Sequence, residues 1–162
     1  MDGKMRLLTA LYIERDGQVL VLYRVGSRVV SPSWCGIGGH VEPDEIGDAQ
    51  ACVLRELEEE TCIRREMLEG IRLRYITLRL KKGEILHNYY FFATLRDGVE
   101  VEMACNEGSL AWMEKAQVLE LDMPYTAKAV LTHYYAGGRE DERMYGGIAT
   151  PSGVSFTPME EF

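Results

Sequence analysis

Apolar and polar residues alternate along the first part of the chain and predict a β-hairpin. Two runs rich in Leu, Val, Ile and Tyr fill residues 7–25, on either side of Glu14-Arg15-Asp16-Gly17. Asp-Gly favours a hairpin turn because both residues tolerate positive φ. Residues 26–39 then contain one proline and four glycines. We interpret this stretch as a loop that brings backbone close to another group.

The pattern changes to a helical period over residues 48–63. Asp48 is a suitable N-cap, since its side chain can accept a hydrogen bond from a free N–H of the first turn. The apolar stripe of this predicted helix contains Val53, Leu54, Leu57 and Thr61. This spacing matches one face of an α-helix.

The remaining segments predict more of a sheet and a second helix. Residues 71–82 and 84–95 form two long runs joined at Lys82-Gly83, which favour an antiparallel pair. Residues 89–93 are apolar at every position, so this strand is expected to be central, with helices on both faces of the sheet. A strand at 110–113, a helix at 124–135 and a short hairpin after Gly138 complete an α/β (α+β) fold.

Length and charge narrow the function classes. The 162 residues, 46% of them hydrophobic, predict one domain spanning residues 1–162. The net charge of −8 argues against a protein that coats nucleic acid polymers or anionic membranes. No apolar run could span a bilayer and the N-terminal residues lack a signal peptide, so we expect a cytoplasmic protein. The four cysteines form no CxxC pair and are expected to be reduced and mostly buried.

Three glutamates share one face of the predicted helix. At about 100° per residue, Glu56, Glu59 and Glu60 fall within roughly 100° of one another. Like charges at this spacing destabilise a helix, and acids in the last turn oppose the helix dipole. A divalent cation would reverse both effects, because carboxylates are the ligands that Mg²⁺ prefers. A solvated acidic face is the alternative interpretation.

The loop before the helix favours the metal interpretation. Gly38 and Gly39 allow backbone carbonyls to approach an ion or a phosphate closely, because no Cβ intervenes. Glu42 and Glu45 add carboxylates just before the helix, and Arg55 lies one turn before Glu59.

These residues resemble the signature of the Nudix hydrolases, G-x5-E-x7-R-E-U-x-E-E-x-G-U, where U is a bulky aliphatic residue. The match covers residues 39–63: it begins at Gly39, has its first acid at Glu45, and continues through Arg55, Glu56, Leu57, Glu59, Glu60 and Ile63. The order of the predicted elements is also similar to that family. The resemblance implies a Nudix fold, an α/β/α sandwich around a mixed β-sheet.

Two departures from the signature stand out. Nine residues, 46–54, separate Glu45 from Arg55 where the signature has seven, and Cys62 replaces a glycine. We interpret Ile46-Gly47 as an insertion in the turn before Asp48 that leaves the helix phase intact. Cys62 is expected to occupy a position that favours positive φ, at a cost of about 1 kcal/mol.

The resemblance also implies chemistry. Nudix enzymes cut a diphosphate linkage in nucleoside diphosphate derivatives with water and a divalent metal, here Mg²⁺ with Mn²⁺ as an alternative. Carried over by position, Glu56 and Glu60 are the main metal ligands, with the carbonyl of Gly38 or Gly39. Glu59 completes the metal shell or acts as the base, and Arg55 fixes a catalytic carboxylate.

Residues outside the signature have weaker assignments. Glu107, before the strand that carries Trp112, is a candidate further metal ligand or an ordinary turn residue. Arg24 is a candidate phosphate contact or a surface arginine, and His40 either borders the site or binds backbone. Trp34 and the aromatic residues at 89–92 could stack on a base, but the core is the more common place for them.

The expected substrate follows from a resemblance to one group within the family. The compact length and residues 34–40 look most like small bacterial Nudix proteins of the mutator type, which hydrolyse oxidised purine nucleoside triphosphates such as 8-oxo-dGTP to the monophosphate and pyrophosphate. ADP-ribose, a nucleotide sugar and a dinucleoside polyphosphate remain alternatives, as does a domain that senses nucleotides without turnover. The expected partner is a nucleotide, with no nucleic acid polymer or membrane, and a homodimer is left open.

Overall fold

The computed structural model describes residues 3–25 and 32–162, which contain one nine-stranded β-sheet. The strands are β1 (Met5–Arg15), β2 (Gln18–Arg24), β3 (Ser33–Cys35), β4 (Leu68–Lys81), β5 (Glu84–Leu95), β6 (Ala104–Cys105), β7 (Gly108–Glu114), β8 (Met144–Thr150) and β9 (Gly153–Met159). Their order is β6-β7-β2-β1-β5-β4-β8-β9, and β3 pairs with β2. The β1–β5 and β4–β8 pairs are parallel and the others antiparallel, so the sheet is mixed as predicted.

Helices form at both places where the sequence pattern predicts them, whereas a short helix between them was not predicted. Helix α1 (Ala49–Glu60) begins after Asp48, whose Oδ1 accepts a hydrogen bond from the Ala51 N–H at 2.9 Å. The α2 helix is short (Lys115–Glu120), and α3 (Tyr125–His133) begins after Pro124 and continues into a wider turn at Tyr134–Gly138. Short 3₁₀ turns occur at Pro43–Glu45 and Arg65–Met67.

Strand β5 separates two cores, because its side chains alternate between the two faces of the sheet. Phe91 and Ala93 pack on the α1 side with Val53 and Leu57. Tyr90 and Phe92 pack on the other side with residues of α2 and α3. The prediction of a central strand with helices on both faces is therefore confirmed.

Most predicted elements are confirmed, including both hairpins and the C-terminal β8–β9 pair. The loop predicted for residues 26–39 is wrong in part, because Ser33–Cys35 forms β3 against β2. This strand was missed because three residues are too few to show an alternating pattern. Residues 26–31 of that loop lie outside the described residues.

The described residues contain no helix that is both long and apolar enough to cross a membrane. All four cysteines are unpaired, but their predicted burial is correct for Cys52 alone: Cys35 and Cys105 are half-buried and Cys62 is exposed. Cys62 lies just beyond the end of α1, where its thiol contacts the Glu102 carboxylate at 3.2 Å.

Candidate functional site

The glycine loop runs beside β1 and faces the last turn of α1. Its backbone bonds β1 at two places, with Leu11 N–H donating to the Ile37 carbonyl at 2.7 Å and Thr9 N–H to the Gly39 carbonyl at 2.9 Å. Gly38 has φ of 149°, and a Cβ there would overlap the Thr9 carbonyl oxygen. Gly39 lies against α1, where a Cβ would stand 2.5 Å from Glu56 Oε1. Gly38 is therefore required for the close approach of the loop to β1, and Gly39 leaves the space that the Glu56 carboxylate fills.

Glu60 is the buried carboxylate of the site, only 4% exposed at the end of α1. Its Oε2 accepts a hydrogen bond from the Gly38 N–H at 3.2 Å, and its Oε1 accepts one from the Arg24 guanidinium. Burial raises the pKa of Glu60 to about 7, against the opposing effect of Arg24. Because burial disfavours the charged form of Glu60, a nearby cation would strongly stabilise its carboxylate.

Arg24 connects the three parts of the site. It ends β2, and its Nη2 donates to Glu60 and, at 2.9 Å, to the Gly38 carbonyl. Its Nε lies 3.2 Å from Glu107 Oε2, at the turn before β7. Asn106 Nδ2 donates to the Glu59 carbonyl at 2.9 Å, which ties this turn to the end of α1. The surface interpretation of Arg24 is wrong, because its guanidinium lies among these groups.

Arg55 binds the remaining carboxylates of the signature. It makes a two-pronged contact with Glu45, from Nε to Oε1 at 2.6 Å and from Nη2 to Oε2 at 3.0 Å. Its Nη1 lies 3.0 Å from Glu56 Oε1 and 2.9 Å from Glu59 Oε2. The Arg55 guanidinium lowers the pKa of the mostly buried Glu45 to about 2. Glu59, in contrast, has a side chain that is 59% exposed.

The two-residue insertion does not disturb this contact. Ile46 and Gly47 form a turn, in which Ile46 is 67% exposed and Gly47 has φ of 97°. Asp48 N–H then donates to the Glu45 carbonyl at 2.8 Å, so the chain returns directly to the helix start. The extra residues point outward, and the predicted helix phase is confirmed by the Arg55 contact with Glu45.

The positive φ predicted for Cys62 is wrong. The described non-glycine residues with positive φ are Asp16, Lys82 and Glu142. Helix α1 instead ends at Thr61 in an extended conformation, with φ of −133°, and its hydroxyl donates to the Leu57 carbonyl at 2.6 Å. A threonine cap thus replaces the left-handed glycine ending that the signature implies.

The structure decides between the alternative interpretations of His40, Trp34 and the aromatic residues at 89–92. His40 is exposed beside the site, and its backbone carbonyl accepts a hydrogen bond from Arg55 Nη2 at 3.2 Å. Trp34 packs on Tyr23 with ring centroids 5.0 Å apart and joins the core under α3. Tyr90, Phe91 and Phe92 are buried, so the core interpretation of these aromatics is confirmed.

A small cavity opens between the glycine loop, β1, β5 and the start of α3. Its volume is about 170 Å³, and its lining includes Arg24, Gly38 and Gly39. The lining also contains polar side chains that were not predicted as site residues, Tyr12, Asn88 and Thr126, beside Tyr90 of the predicted aromatic run. Tyr12 is fully buried, and its hydroxyl has no hydrogen-bond partner within residues 3–25 and 32–162. Asn88 carried a signal, since it is a polar residue within an apolar strand.

The donor set suits a hard divalent cation. Glu56, Glu60 and Glu107 supply carboxylates, and the Gly38 carbonyl is directed to the same place as Glu60, as their shared contact with Arg24 shows. The carbonyl of Gly39, the other predicted ligand, already accepts the Thr9 N–H. Within the described part of the chain, no three acidic, histidine or cysteine side chains converge on one point, and guanidinium groups contact the carboxylates instead. Oxygen donors held near arginine cations match Mg²⁺ or Mn²⁺ in ligand chemistry.

Comparison with solved structures identifies similar proteins. A mutator MutT protein from Bacillus halodurans is 27% identical, covers 96% of this chain and 99% of its own, and has a TM-score of 0.69. An Ap4A hydrolase from C. elegans is 21% identical over 82% of this chain and 96% of its own, with a TM-score of 0.63. The NUDIX domain of Shewanella oneidensis NrtR, solved with ADP ribose, is 15% identical, covers 84% of this chain and 88% of its own, and has a TM-score of 0.62. The last two likenesses concern the fold alone.

The family assignment rests on the sequence match. No curated protein is significantly similar to the chain. The model of the NUDIX domain, however, matches residues 5–134, which include the glycine loop, α1, Glu107 and α3. Together with the mixed sheet between helices, this match shows that the chain belongs to the NUDIX family and is a Nudix pyrophosphohydrolase.

Proposed function

We propose that this protein uses Mg²⁺, with Mn²⁺ as an alternative, to hydrolyse an oxidised purine nucleoside triphosphate to the monophosphate and pyrophosphate. The observation that carries the proposal is the environment of Glu60. A buried carboxylate with a raised pKa lies close to two further carboxylates and binds the Gly38 N–H and Arg24, two residues that line a small cavity. Such a carboxylate is costly without a cation and is stabilised by one.

The proposed ligands are Glu56, Glu60 and the Gly38 carbonyl, with Glu107 from the opposite turn. A bound divalent ion would neutralise the diphosphate and lower the pKa of water, which favours attack on phosphorus. Glu107 is half-exposed on the turn before β7, where its Oε2 lies 3.2 Å from Arg24 Nε.

Glu59 is proposed as the base. Its carboxylate is solvent-accessible and is oriented by Arg55 at 2.9 Å, so it can accept a proton from an attacking water. Arg55 is a positioning residue in this scheme, since it contacts carboxylates from two segments and holds their spacing. Arg24 would exchange its contact with Glu60 for a substrate phosphate, because guanidinium groups bind phosphate oxygens well.

The small volume and the polar lining of the cavity support a substrate with a single nucleobase. Its volume of about 170 Å³ adjoins Arg24 and Gly39, where phosphates would lie, and extends towards Asn88 and Tyr12. An amide can both donate to and accept from a purine edge, and burial raises the pKa of Tyr12, which keeps its hydroxyl a donor. The oxidised purine is favoured over other bases by the likeness to the Bacillus halodurans mutator protein, which extends over nearly the whole chain.

A substrate panel tests this proposal. Purified protein with Mg²⁺ would be assayed on 8-oxo-dGTP, dGTP, ADP-ribose and a dinucleoside tetraphosphate, with phosphate and pyrophosphate measured separately. We expect 8-oxo-dGTP to have the highest kcat/KM and to release pyrophosphate, while Glu60→Gln loses at least 100-fold. Glu58→Gln, an exposed change on the same helix, is the matched control and should retain activity.

Other outcomes of the substrate assay would change or overturn the proposed function. Faster cleavage of ADP-ribose or of the dinucleoside would replace the proposed substrate but retain the diphosphate chemistry. Binding of these nucleotides without any release of phosphate or pyrophosphate would support a sensing domain and overturn the catalytic proposal. If Glu60→Gln left the response to Mg²⁺ unchanged, the acidic face would be a solvated surface only.

A further inference from the structure

Two residues, Asn106 and Glu107, form the turn between β6 and β7. Cys105 and Gly108 pair across the strands on either side of this turn, so it contains no further residue. The Asn106 side chain reaches the end of α1, and the Glu107 side chain reaches Arg24 at the end of β2. In a turn this short, a contact that fixes one residue also restricts the position of the other.

The end of α1 leaves the backbone carbonyl of Glu59 free to accept a hydrogen bond from outside the helix. The last carbonyls of any helix have no partner within it. Ile63 N–H, which would continue the helix by donating to Glu59, donates to the Thr61 hydroxyl at 3.0 Å instead. Asn106 Nδ2 donates to the Glu59 carbonyl at 2.9 Å, so it caps α1 from a distant part of the chain. The capped residue is followed directly by Glu60, the last residue of α1.

Other contacts of this turn reach β2. Val25 N–H donates to the Glu107 carbonyl at 3.2 Å. The Glu107 carboxylate lies 3.2 Å from Arg24 Nε, but that N–H makes no hydrogen bond to any residue of the ranges 3–25 and 32–162. Among the described residues, Asn106 therefore supplies the side-chain hydrogen bond that ties the turn to α1.

We propose that Asn106 is a positioning residue, whose amide holds Glu107 beside Glu60 so that both carboxylates can bind one divalent cation. The proposal rests on the proposed function, in which Glu60 and Glu107 are ligands. Because Glu59 and Glu60 are consecutive, the amide anchors the turn to the backbone of the helix that carries the other ligand. A ligand that is already held in place loses less conformational entropy when the ion binds, so the affinity is higher.

The contact between Asn106 and α1 does not depend on Arg24. Glu60 and Glu107 both contact Arg24, and in the proposed reaction this arginine exchanges its contact with Glu60 for a substrate phosphate. The hydrogen bond from the Asn106 amide to the Glu59 carbonyl involves neither carboxylate, so it persists through that exchange. The turn thus keeps its place when the ion and the phosphate are both bound.

Mg²⁺ titrations followed by thermal unfolding test the proposal without substrate. The rise in Tm with Mg²⁺ concentration gives an apparent dissociation constant. We expect Asn106→Ala to raise this constant about tenfold, the effect typical of losing a residue that orients a metal ligand. Its kcat at saturating Mg²⁺ should stay within about twofold of the wild type, since every proposed ligand is retained. Asp48→Ala is the matched control: it removes a 2.9 Å cap from the other end of α1, so it should lower Tm and leave the Mg²⁺ constant unchanged.

A double-mutant cycle with Glu107→Gln shows whether Asn106 acts through Glu107. We expect Glu107→Gln to raise the Mg²⁺ constant as well, and Asn106→Ala to add less than about twofold in that background. Losses that simply multiply would make Asn106 a structural cap only and overturn the proposal, as would an unchanged constant in either single variant.

The same measurements separate this proposal from the proposed function. An unchanged Mg²⁺ constant in Asn106→Ala, with hydrolysis intact, would overturn the role of Asn106 alone. A protein that shows the expected cycle but hydrolyses none of the nucleotides would support the role of Asn106 and overturn the proposed function.

Discussion

Arg24 and Glu60 form an ion pair in the place where the resemblance puts a metal. The arginine ends β2, the glutamate ends α1, and the guanidinium also binds the Gly38 carbonyl at 2.9 Å. The guanidinium thus neutralises a buried carboxylate and occupies the carbonyl that a cation would use. A divalent ion would have to compete with this contact, and the released Arg24 would then be free for a phosphate.

Removal of Arg24 should make the protein less stable and more responsive to metal. In Arg24→Met, Glu60 loses its cationic partner while it stays buried, which should cost about 1–3 kcal/mol of unfolding free energy without metal. Mg²⁺ then offsets a larger penalty, so the rise in Tm on adding Mg²⁺ should exceed that of the wild type. Thermal unfolding with and without Mg²⁺ measures both effects.

Arg6→Met is the control for this variant. Arg6 also pairs with a glutamate, at 2.9 Å, but both partners are exposed. Its loss should cost less than about 1 kcal/mol and leave the Mg²⁺ response unchanged. An unchanged Mg²⁺ response in Arg24→Met would show that Arg24 and the metal do not share Glu60.

Glu56 and Glu59 should have separable roles. Glu56 is largely buried behind Gly39, and Glu59 is exposed next to Arg55. We expect Glu59→Gln to lower kcat at least 100-fold while the Tm shift with Mg²⁺ stays within 1 °C of the wild type. Glu56→Gln should instead reduce both activity and the Mg²⁺-dependent shift.

A loss of the Mg²⁺ response in Glu59→Gln would contradict this division and place Glu59 in the metal shell. The comparison uses two substitutions of the same chemistry, three residues apart on one helix. Differences between them therefore reflect position rather than the removal of a charge.

The pairing of Glu45 with Arg55 should make stability depend on pH in the acid range. The pKa of Glu45 is about 2 in the folded protein, below its ordinary value of 4.5, because Arg55 binds the charged form. Its contribution is fully present above about pH 4.5 and is lost as the pH falls towards 2. At about 1.4 kcal/mol per pKa unit, the contribution is at most about 3.5 kcal/mol.

Urea unfolding of the wild type and Glu45→Gln at pH 7, 5, 4 and 3 tests this prediction. The difference in unfolding free energy between the two proteins should be constant from pH 7 to 5 and should shrink below pH 4.5. Glu58→Gln removes an exposed carboxylate and should show no such pH dependence. A difference that stayed constant down to pH 3 would show that folding does not lower the pKa of Glu45.

The sequence predicts correctly those elements whose hydrophobic periodicity or signature residues determine the local structure. The β1–β2 hairpin, α1 with its Asp48 cap and the β4–β5 pair follow from local patterns that burial later satisfies. Strand β3 could not be predicted, because its three residues form only through pairing with β2. Tyr12 could not be predicted as a cavity residue for a related reason: the cavity brings together strands that are far apart along the chain, and no local spacing records that contact.

Gly39→Ala should disturb the site through the Glu56 carboxylate. A Cβ there would stand 2.5 Å from Glu56 Oε1, so Gly39→Ala must displace either the loop or that carboxylate. We expect at least a tenfold loss of kcat/KM and a reduced Mg²⁺-dependent rise in Tm. Gly146→Ala is the control, because the nearest atom to its added Cβ is 3.9 Å away and the activity per chain should not change.

Restoring the signature glycine at Cys62 should not stabilise the protein. If Cys62 were strained at positive φ, Cys62→Gly would raise the free energy of unfolding by about 1 kcal/mol. Cys62 does not have positive φ, and Thr61 already closes the helix through its hydroxyl contact with the Leu57 carbonyl. The added glycine only increases the entropy of the unfolded chain, so we expect a loss of about 0.5–1 kcal/mol. Urea unfolding of Cys62→Gly beside Cys62→Ala measures this, and a gain in stability relative to both wild type and Cys62→Ala would show that the position is strained after all.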